Sequence, residues 1–239
     1  MKKHKKLLLA AAVLLTLVTA VAAYAGDYYR ADSQAIAAMA GNDTVTVTRS
    51  GNLTFFAPEE PEVGFIFYPG GKVEHSAYAP LLLELAEENI LCVLVKMPLN
   101  LAVLDMGAAE EIPEQFPEIE TWYIGGHSLG GSMAASFLAD NTKTYEGLIL
   151  LASYSTADLS ETDLTVLSFW GCRDGVMNME KHAQYMSNLP EDTFGFVIPG
   201  GNHAQFGNYG HQEGDGEAEI SAEEQREYTV REILRLMPR

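Results

Sequence analysis

A chain of 239 residues with 47% hydrophobic content is long enough for one domain with a large buried core, and it shows neither internal repeats nor low-complexity tracts. It carries 33 acidic against 15 basic residues, a formal net charge of −18 that becomes −22 once the four lysines of the first six residues are set aside. That excess of negative charge excludes nucleic acid as a partner and argues against polyanionic substrates and tight docking on anionic lipid.

Met1 to Lys6 is basic, and Leu7 to Ala25 is an uncharged run of 19 residues. Such a run has the length to span a bilayer with its lysines on the cytoplasmic side. It also ends in Ala23-Tyr24-Ala25, an A-x-A cleavage pattern. Residues 1–25 therefore read as a signal peptide or a signal anchor, with length favouring the anchor. Either reading places the rest of the chain outside the cytoplasm, and membrane contact is expected only through this segment if it is uncleaved. Residues 26–43 read as a linker or stalk with a short Ala-rich helix, and residues 44–239 as the folded domain.

Thr44–Thr48 and Leu53–Phe56 alternate in polarity around Ser50-Gly51-Asn52, a hairpin signal. Val63–Tyr68 and Ile90–Val95 are continuous apolar runs of the kind buried on both faces of a parallel sheet. Between them, Tyr78–Asn89 has the apolar spacing of an amphipathic helix. Leu99–Glu111 is expected to be helical, stopped by Pro113. Trp122–Gly125, Gly147–Ala152, Leu164–Trp170 and Phe194–Ile198 read as further strands. Met179–Asn188 and Glu223–Met237 read as helices. Strands alternating with helices imply a mostly parallel sheet covered on both faces, and the short connections leave no room for a large cap domain. Cys92 and Cys172 fall on strands several positions apart, beyond disulfide reach, and are expected as free thiols.

Thr121 to Gly131 is the most informative segment. A short apolar strand runs into Gly126-His127-Ser128-Leu129-Gly130, and a small-residue helix follows. This is the strand–turn–helix context of a nucleophile elbow, in which the serine is forced into a strained conformation with its hydroxyl exposed. A serine hydroxyl needs a base, and the base needs an acid to orient it. Asp174 follows strand Leu164–Trp170 within Gly171-Cys172-Arg173-Asp174-Gly175. His203 follows strand Phe194–Ile198 within Pro199-Gly200-Gly201-Asn202-His203. The order Ser128, Asp174, His203 is the one this architecture requires. Of the other histidines, His127 is inside the elbow, His182 lies on a helix, and His211 is the serious rival because it shares the loop of His203. A tetrahedral intermediate needs two N–H donors. The Leu129 amide at the helix start is one. The loop Pro69-Gly70-Gly71-Lys72 supplies the other, with Gly71 favoured and Lys72 a close second.

Tyr68-Pro69-Gly70-Gly71, the elbow sequence, Gly171-x-x-Asp174 and Gly201-Asn202-His203 together resemble the α/β-hydrolase superfamily over residues 44–239, and more closely its small, capless bacterial branch related to dienelactone hydrolases and carboxylesterases. The resemblance implies an eight-stranded α/β-hydrolase fold and a Ser128–His203–Asp174 triad with no cofactor and no metal. It also implies a small-molecule carboxylic ester as substrate. The chain departs from many relatives in having Pro-Gly-Gly-Lys where they have His-Gly, and serine at the nucleophile position sets it apart from dienelactone hydrolases proper. The same triad would serve a peptidase or an acyltransferase, and a vestigial triad would leave an anchored binding protein.

The segment 204–217 after His203 is rich in glycine, amide and acidic residues. It is expected to wall an acyl pocket with Phe206 and Tyr209, Lys72 approaching from the opposite loop. Glu213, Asp215 and Glu217 form an alternative calcium-loop pattern, and a plain surface loop is the third reading.

Overall fold

In a computed structural model, residues 2–237 are described, apart from the side chains of residues 2–4, 7–10, 20 and 22. Met1, Pro238 and Arg239 lie outside the described residues, as does part of the basic and apolar patterning read from the leader. Helix α1 (Lys2–Gly26) forms the start of the chain. Among the described residues no helix is long and apolar enough to cross a membrane.

Eight strands form one sheet: β1 (Thr46–Ser50), β2 (Leu53–Ala57), β3 (Val63–Tyr68), β4 (Ile90–Val95), β5 (Thr121–His127), β6 (Gly147–Leu151), β7 (Thr165–Gly171) and β8 (Thr193–Ile198). Their order is β1-β2-β4-β3-β5-β6-β7-β8. β1, β2 and β4 pair antiparallel, and every pairing from β4 to β8 is parallel. The apolar runs of β3, β4 and β6 are buried along their whole length, as strands covered on both faces must be. The edge strands β1 and β8 are largely exposed and carry the alternating or polar sequences that edges tolerate.

Two cores sandwich the sheet. On one face, α3 (Ala79–Glu87) contributes Leu81, Leu82 and Leu85, and α6 (Ala222–Leu236) contributes Val230 and Ile233; these pack on Phe65, Phe67 and Tyr123. On the other, α4 (Leu129–Leu138) packs Ala134, Ala135 and Leu138 against Ile66, Ile124 and Leu150. α6 opens with a capping box in which Ser221 and Glu224 satisfy each other's backbone N–H groups, worth about 1 kcal/mol. α5 (Met179–Tyr185) is capped by the Asn178 side chain.

Two expectations change. Leu99–Glu111 is not one helix but a chain of short 3-10 turns, Pro98–Asn100, Ala102–Leu104 and Met106–Ala109. Leu99 and Asn100 sit in left-handed backbone at φ 51° and 56°, which a continuous helix forbids. The Tyr68 hydroxyl then ties the segment down, donating to the Met106 carbonyl (2.7 Å) and accepting from the Ala109 N–H (2.9 Å). Of residues 26–43, expected as linker or stalk, those from Asp27 on make contacts with the domain instead. α2 (Ser33–Ala38), capped by Asp32, buries Ala35, and Tyr29 forms a parallel bridge with Val73.

Cys92 on β4 and Cys172 just past β7 are free, the first buried and the second exposed. With β3, β5 and β6 between their strands, they are separated by about 19 Å at the usual inter-strand spacing.

Candidate active site

The elbow takes its shape from small residues. β5 enters between β3 and β6, and α4 leaves at once, so the backbone reverses over one residue. Ser128 occupies φ 51°, ψ −121°, a strained region for a residue with a side chain. A Cβ at Gly130 would collide with the carbonyls of Tyr68 and Pro69, and one at Gly126 with the Tyr68 carbonyl. The strain is held by hydrogen bonds: Ser128 N–H donates to the Leu151 carbonyl (2.9 Å), and the Ser128 carbonyl accepts from Ser132 N–H (3.2 Å) and from the Ser153 hydroxyl (2.7 Å). Ser128 and Leu129 themselves remain partly exposed.

Asp174 and His203 come together from the ends of β7 and β8. His203 Nδ1 lies 2.9 Å from Asp174 Oδ2, with both side chains almost wholly buried. The other carboxylate oxygen, Oδ1, accepts from the N–H groups of Val176 (2.9 Å) and Met177 (2.8 Å). A carboxylate fixed this way holds the proton on Nδ1 and leaves Nε2 as the acceptor. His203 Nε2 has no hydrogen-bond partner among the described residues. Ser128 and His203 line one cavity of about 280 Å³, whose walls include Leu129, Tyr154, Val176 and Met177.

The loop expected to complete an oxyanion site lies beside the elbow. A Cβ at Gly71 would stand 3.0 Å from Leu129 Cδ2, so the Gly71 and Leu129 backbones are neighbours. The Lys72 amide, the close second on sequence grounds, is taken: it donates to the Asn100 carbonyl (2.8 Å). The Lys72 ammonium pairs with Asp27 (2.7 Å) and lies over the Tyr24 ring, so this side chain is turned away from the cavity rather than toward a substrate. The Gly71 amide has no partner among the described residues.

Phe206 and Tyr209 also differ from expectation. Both are buried and stand behind the site, their ring centroids 5.9 and 6.4 Å from that of His127. They back the histidine layer and are not among the residues that line the Ser128 cavity. His211 is exposed on the rim of a different cavity. His182 packs on Trp170, with ring centroids 4.5 Å apart.

Several supporting residues gave no local sequence signal. His127 is fully buried with its ring 4.5 Å from that of His203. Its Nδ1 shares a 2.8 Å hydrogen bond with the Tyr78 hydroxyl, which also accepts from Gly70 N–H (3.0 Å). Tyr78 and His127 thus join the Gly70-Gly71 loop to the loop of His203. Burial, reinforced by His203, pushes His127 well below the usual histidine range and keeps it neutral. Asp215, one of the three calcium-pattern acids, spends its carboxylate on backbone instead. Its Oδ1 accepts from Gly175 N–H (3.0 Å) and His203 N–H (3.3 Å), and its Oδ2 from Ala204 N–H (2.8 Å). Gln225 on α6, fully buried, brackets Asn202 by accepting from its N–H (3.0 Å) and donating to its carbonyl (2.9 Å). Among the described residues no cluster of three or more His, Cys, Asp or Glu could hold a metal ion.

Comparison with known proteins agrees with this architecture. No curated protein matches the chain in sequence. Among solved structures it is similar to a dienelactone hydrolase from Anabaena variabilis (10% identity, TM-score 0.61, covering 80% of this chain and 98% of that one). It is similar also to a predicted CIB-like hydrolase from Thermoplasma acidophilum (14%, TM-score 0.54, 80% and 98%). A third is an alpha/beta hydrolase enzyme from a sediment metagenome of the Mar Chica lagoon (16%, TM-score 0.59, 79% and 98%). At these identities the likeness is one of fold. The family model described as alpha/beta hydrolase family matches residues 64–227, which takes in the oxyanion loop, the elbow, Asp174 and His203, and the chain therefore belongs to the alpha/beta hydrolase family.

Proposed function

We propose that this protein is a serine hydrolase that cleaves a small carboxylic ester through an acyl-enzyme. The observation that carries the reading is the strained Ser128 sharing a cavity with His203, whose Nδ1 is bound to the buried Asp174. Ser128 Oγ attacks the ester carbonyl while His203 Nε2 takes its proton. The oxyanion is held by the Leu129 and Gly71 amides, and the imidazolium then returns the proton to the departing alcohol. Water repeats the sequence on the acyl-enzyme, releasing the acid and restoring Ser128.

A cavity of about 280 Å³ is at the small end of ligand pockets. Its apolar lining from Leu129, Val176 and Met177 suits a short acyl chain. The leader reading carries a second proposal, that the domain works outside the cytoplasm, which cell fractionation would test.

Hydrolysis of a p-nitrophenyl ester series from acetate to dodecanoate, by the intact chain and by Ser128→Ala, tests the reading. Turnover should peak at short chains and fall by a factor on the order of 10⁴ or more in the variant. Fluorophosphonate labelling of Ser128 without ester turnover would move the assignment to a peptidase or acyltransferase. Neither turnover nor labelling would leave a binding protein with an idle triad.

A further inference from the structure

We propose that the cavity enclosed by the β1–β2 turn, the 3-10 turn at His75–Tyr78 and Lys96 is a binding site for a small anion bearing a carboxylate or phosphate group, held by Arg49, Lys96 and Ser76. The cavity measures about 450 Å³, larger than the one at Ser128, and Arg49, Asn52, His75, Ser76 and Lys96 are in its wall. It is distinct from the triad and does not depend on the esterase reading.

Charge is the first argument. In a chain of net charge −18 several cations have a local ion partner: Lys72 pairs with Asp27, Arg173 with Glu219, Arg226 with Glu84, and Arg231 and Arg235 share Glu232. Arg49 and Lys96 have no ion pair among the described residues, yet they converge on one concavity. Two unpaired cations facing a hollow concentrate positive potential there, because the low-dielectric walls focus the field. A guanidinium and an ammonium together match the geometry of a carboxylate or phosphate.

Ser76 is the second argument. It is 5% exposed, and its hydroxyl has no hydrogen-bond partner among the described residues. A buried hydroxyl left unpaired costs about 1–3 kcal/mol; Ser76 borders the cavity, and a turn of its side chain would bring the hydroxyl to an anion there and relieve that cost. The lining acid, Glu74, already accepts from the Ala31 N–H (3.0 Å). Its charge still disfavours densely charged polyanions and leaves room for one small anionic group. His75 reports the field: burial, with Lys96 and Arg49 acting in the same direction and Glu74 against them, lowers its pKa to about 4. A bound anion would raise it. A smaller cavity shares Glu74, His75 and Lys96 and continues to Met97, Leu99 and Asn100, and the Asn100 carbonyl holds the Lys72 amide next to Gly71. The site therefore lies on the oxyanion-loop side of the triad.

The test is titration of the intact chain with inorganic phosphate and with succinate, following the His75 imidazole by NMR. Comparison variants are Arg49→Gln/Lys96→Gln and, as a control on two other exposed unpaired cations, Lys143→Gln/Lys181→Gln. The expected result is a saturable shift with a raised His75 pKa, weakened at least about tenfold in Kd in the first variant and unchanged in the control. Failure to saturate, or equal binding in both variants, overturns the proposal. A second arm compares KM for a neutral ester and for one with a free carboxylate. A loss in the Arg49/Lys96 variant confined to the charged ester would identify the anion as part of the substrate. Unchanged KM values with the phosphate response lost would identify a free anion as the ligand.

Discussion

At the scale of single residues, the layer behind the triad makes the sharpest demand. Tyr78 is fully buried and its hydroxyl meets both Gly70 N–H and His127 Nδ1. Removing the hydroxyl leaves a buried backbone donor and a buried imidazole nitrogen unpaired at once, so Tyr78→Phe should cost about 1–3 kcal/mol of stability. Loss of packing alone would leave turnover intact once the protein is folded. Because Gly70 precedes the proposed oxyanion donor Gly71, the variant should also lower kcat with little change in KM, as loss of an interaction made in the transition state does. Urea unfolding and steady-state kinetics on the same preparation separate the two effects, and a destabilised variant with wild-type kcat would show that Tyr78 only packs.

Among the elements, the two loops that carry Asp174 and His203 depend on a third. The loop after His203 folds back so that the Asp215 carboxylate binds the N–H groups of Gly175, His203 and Ala204. One acidic side chain thus fixes the spacing of both loops. Asp215→Asn turns one acceptor oxygen into an NH₂ group that meets backbone donors. It should slow fluorophosphonate labelling of Ser128 and lower the unfolding free energy by about 1–3 kcal/mol. Unaltered labelling would mean that Asp174 and His203 hold their own geometry.

The same loops show where sequence reading succeeds and where it stops. Ser128, Asp174 and His203 were legible because each follows an apolar strand and sits in a glycine-marked turn, and the structure brings Asp174 and His203 into contact (2.9 Å). β3, β4 and β6 were legible because full burial writes itself as an unbroken apolar run. The roles of Asp215, Gln225 and Tyr78 were not, since each acts on a partner distant in sequence; the neighbourhood of Asp215 suggested only a calcium pattern, and nothing local marked the other two. The expected helix at Leu99–Glu111 failed for a related reason. Its apolar spacing suits a helix, but left-handed Leu99 and Asn100 and the distant Tyr68 hydroxyl hold it as separate turns. Tertiary contacts overrode local preference.

For the molecule as a whole, the site is gripped from the start of the chain as well as from the sheet. Tyr29 N–H donates to the Lys72 carbonyl (2.8 Å), and Glu74 N–H donates to the Tyr29 carbonyl (2.8 Å), pinning the loop that holds Gly71. Asp32 N–H donates to the Asn208 carbonyl (2.9 Å), and Glu213 N–H to the Tyr29 hydroxyl (3.1 Å), pinning the loop beyond His203. Ala35 and Met39 join the buried core beneath. Residues 27–43 therefore connect the loop that holds Gly71 with the loop beyond His203 and pack on the folded domain. A chain beginning at residue 44 should lose at least about 2 kcal/mol from the exposed apolar surface and several backbone hydrogen bonds besides. Its kcat on short esters should fall further than its stability alone explains. A chain beginning at residue 27 keeps every one of these contacts and should match the full chain in both. Thermal unfolding and ester hydrolysis of the two truncations decide the matter: equal behaviour would return residues 27–43 to the role of a linker, whereas loss confined to the shorter chain would extend the catalytic domain to its N-terminal side.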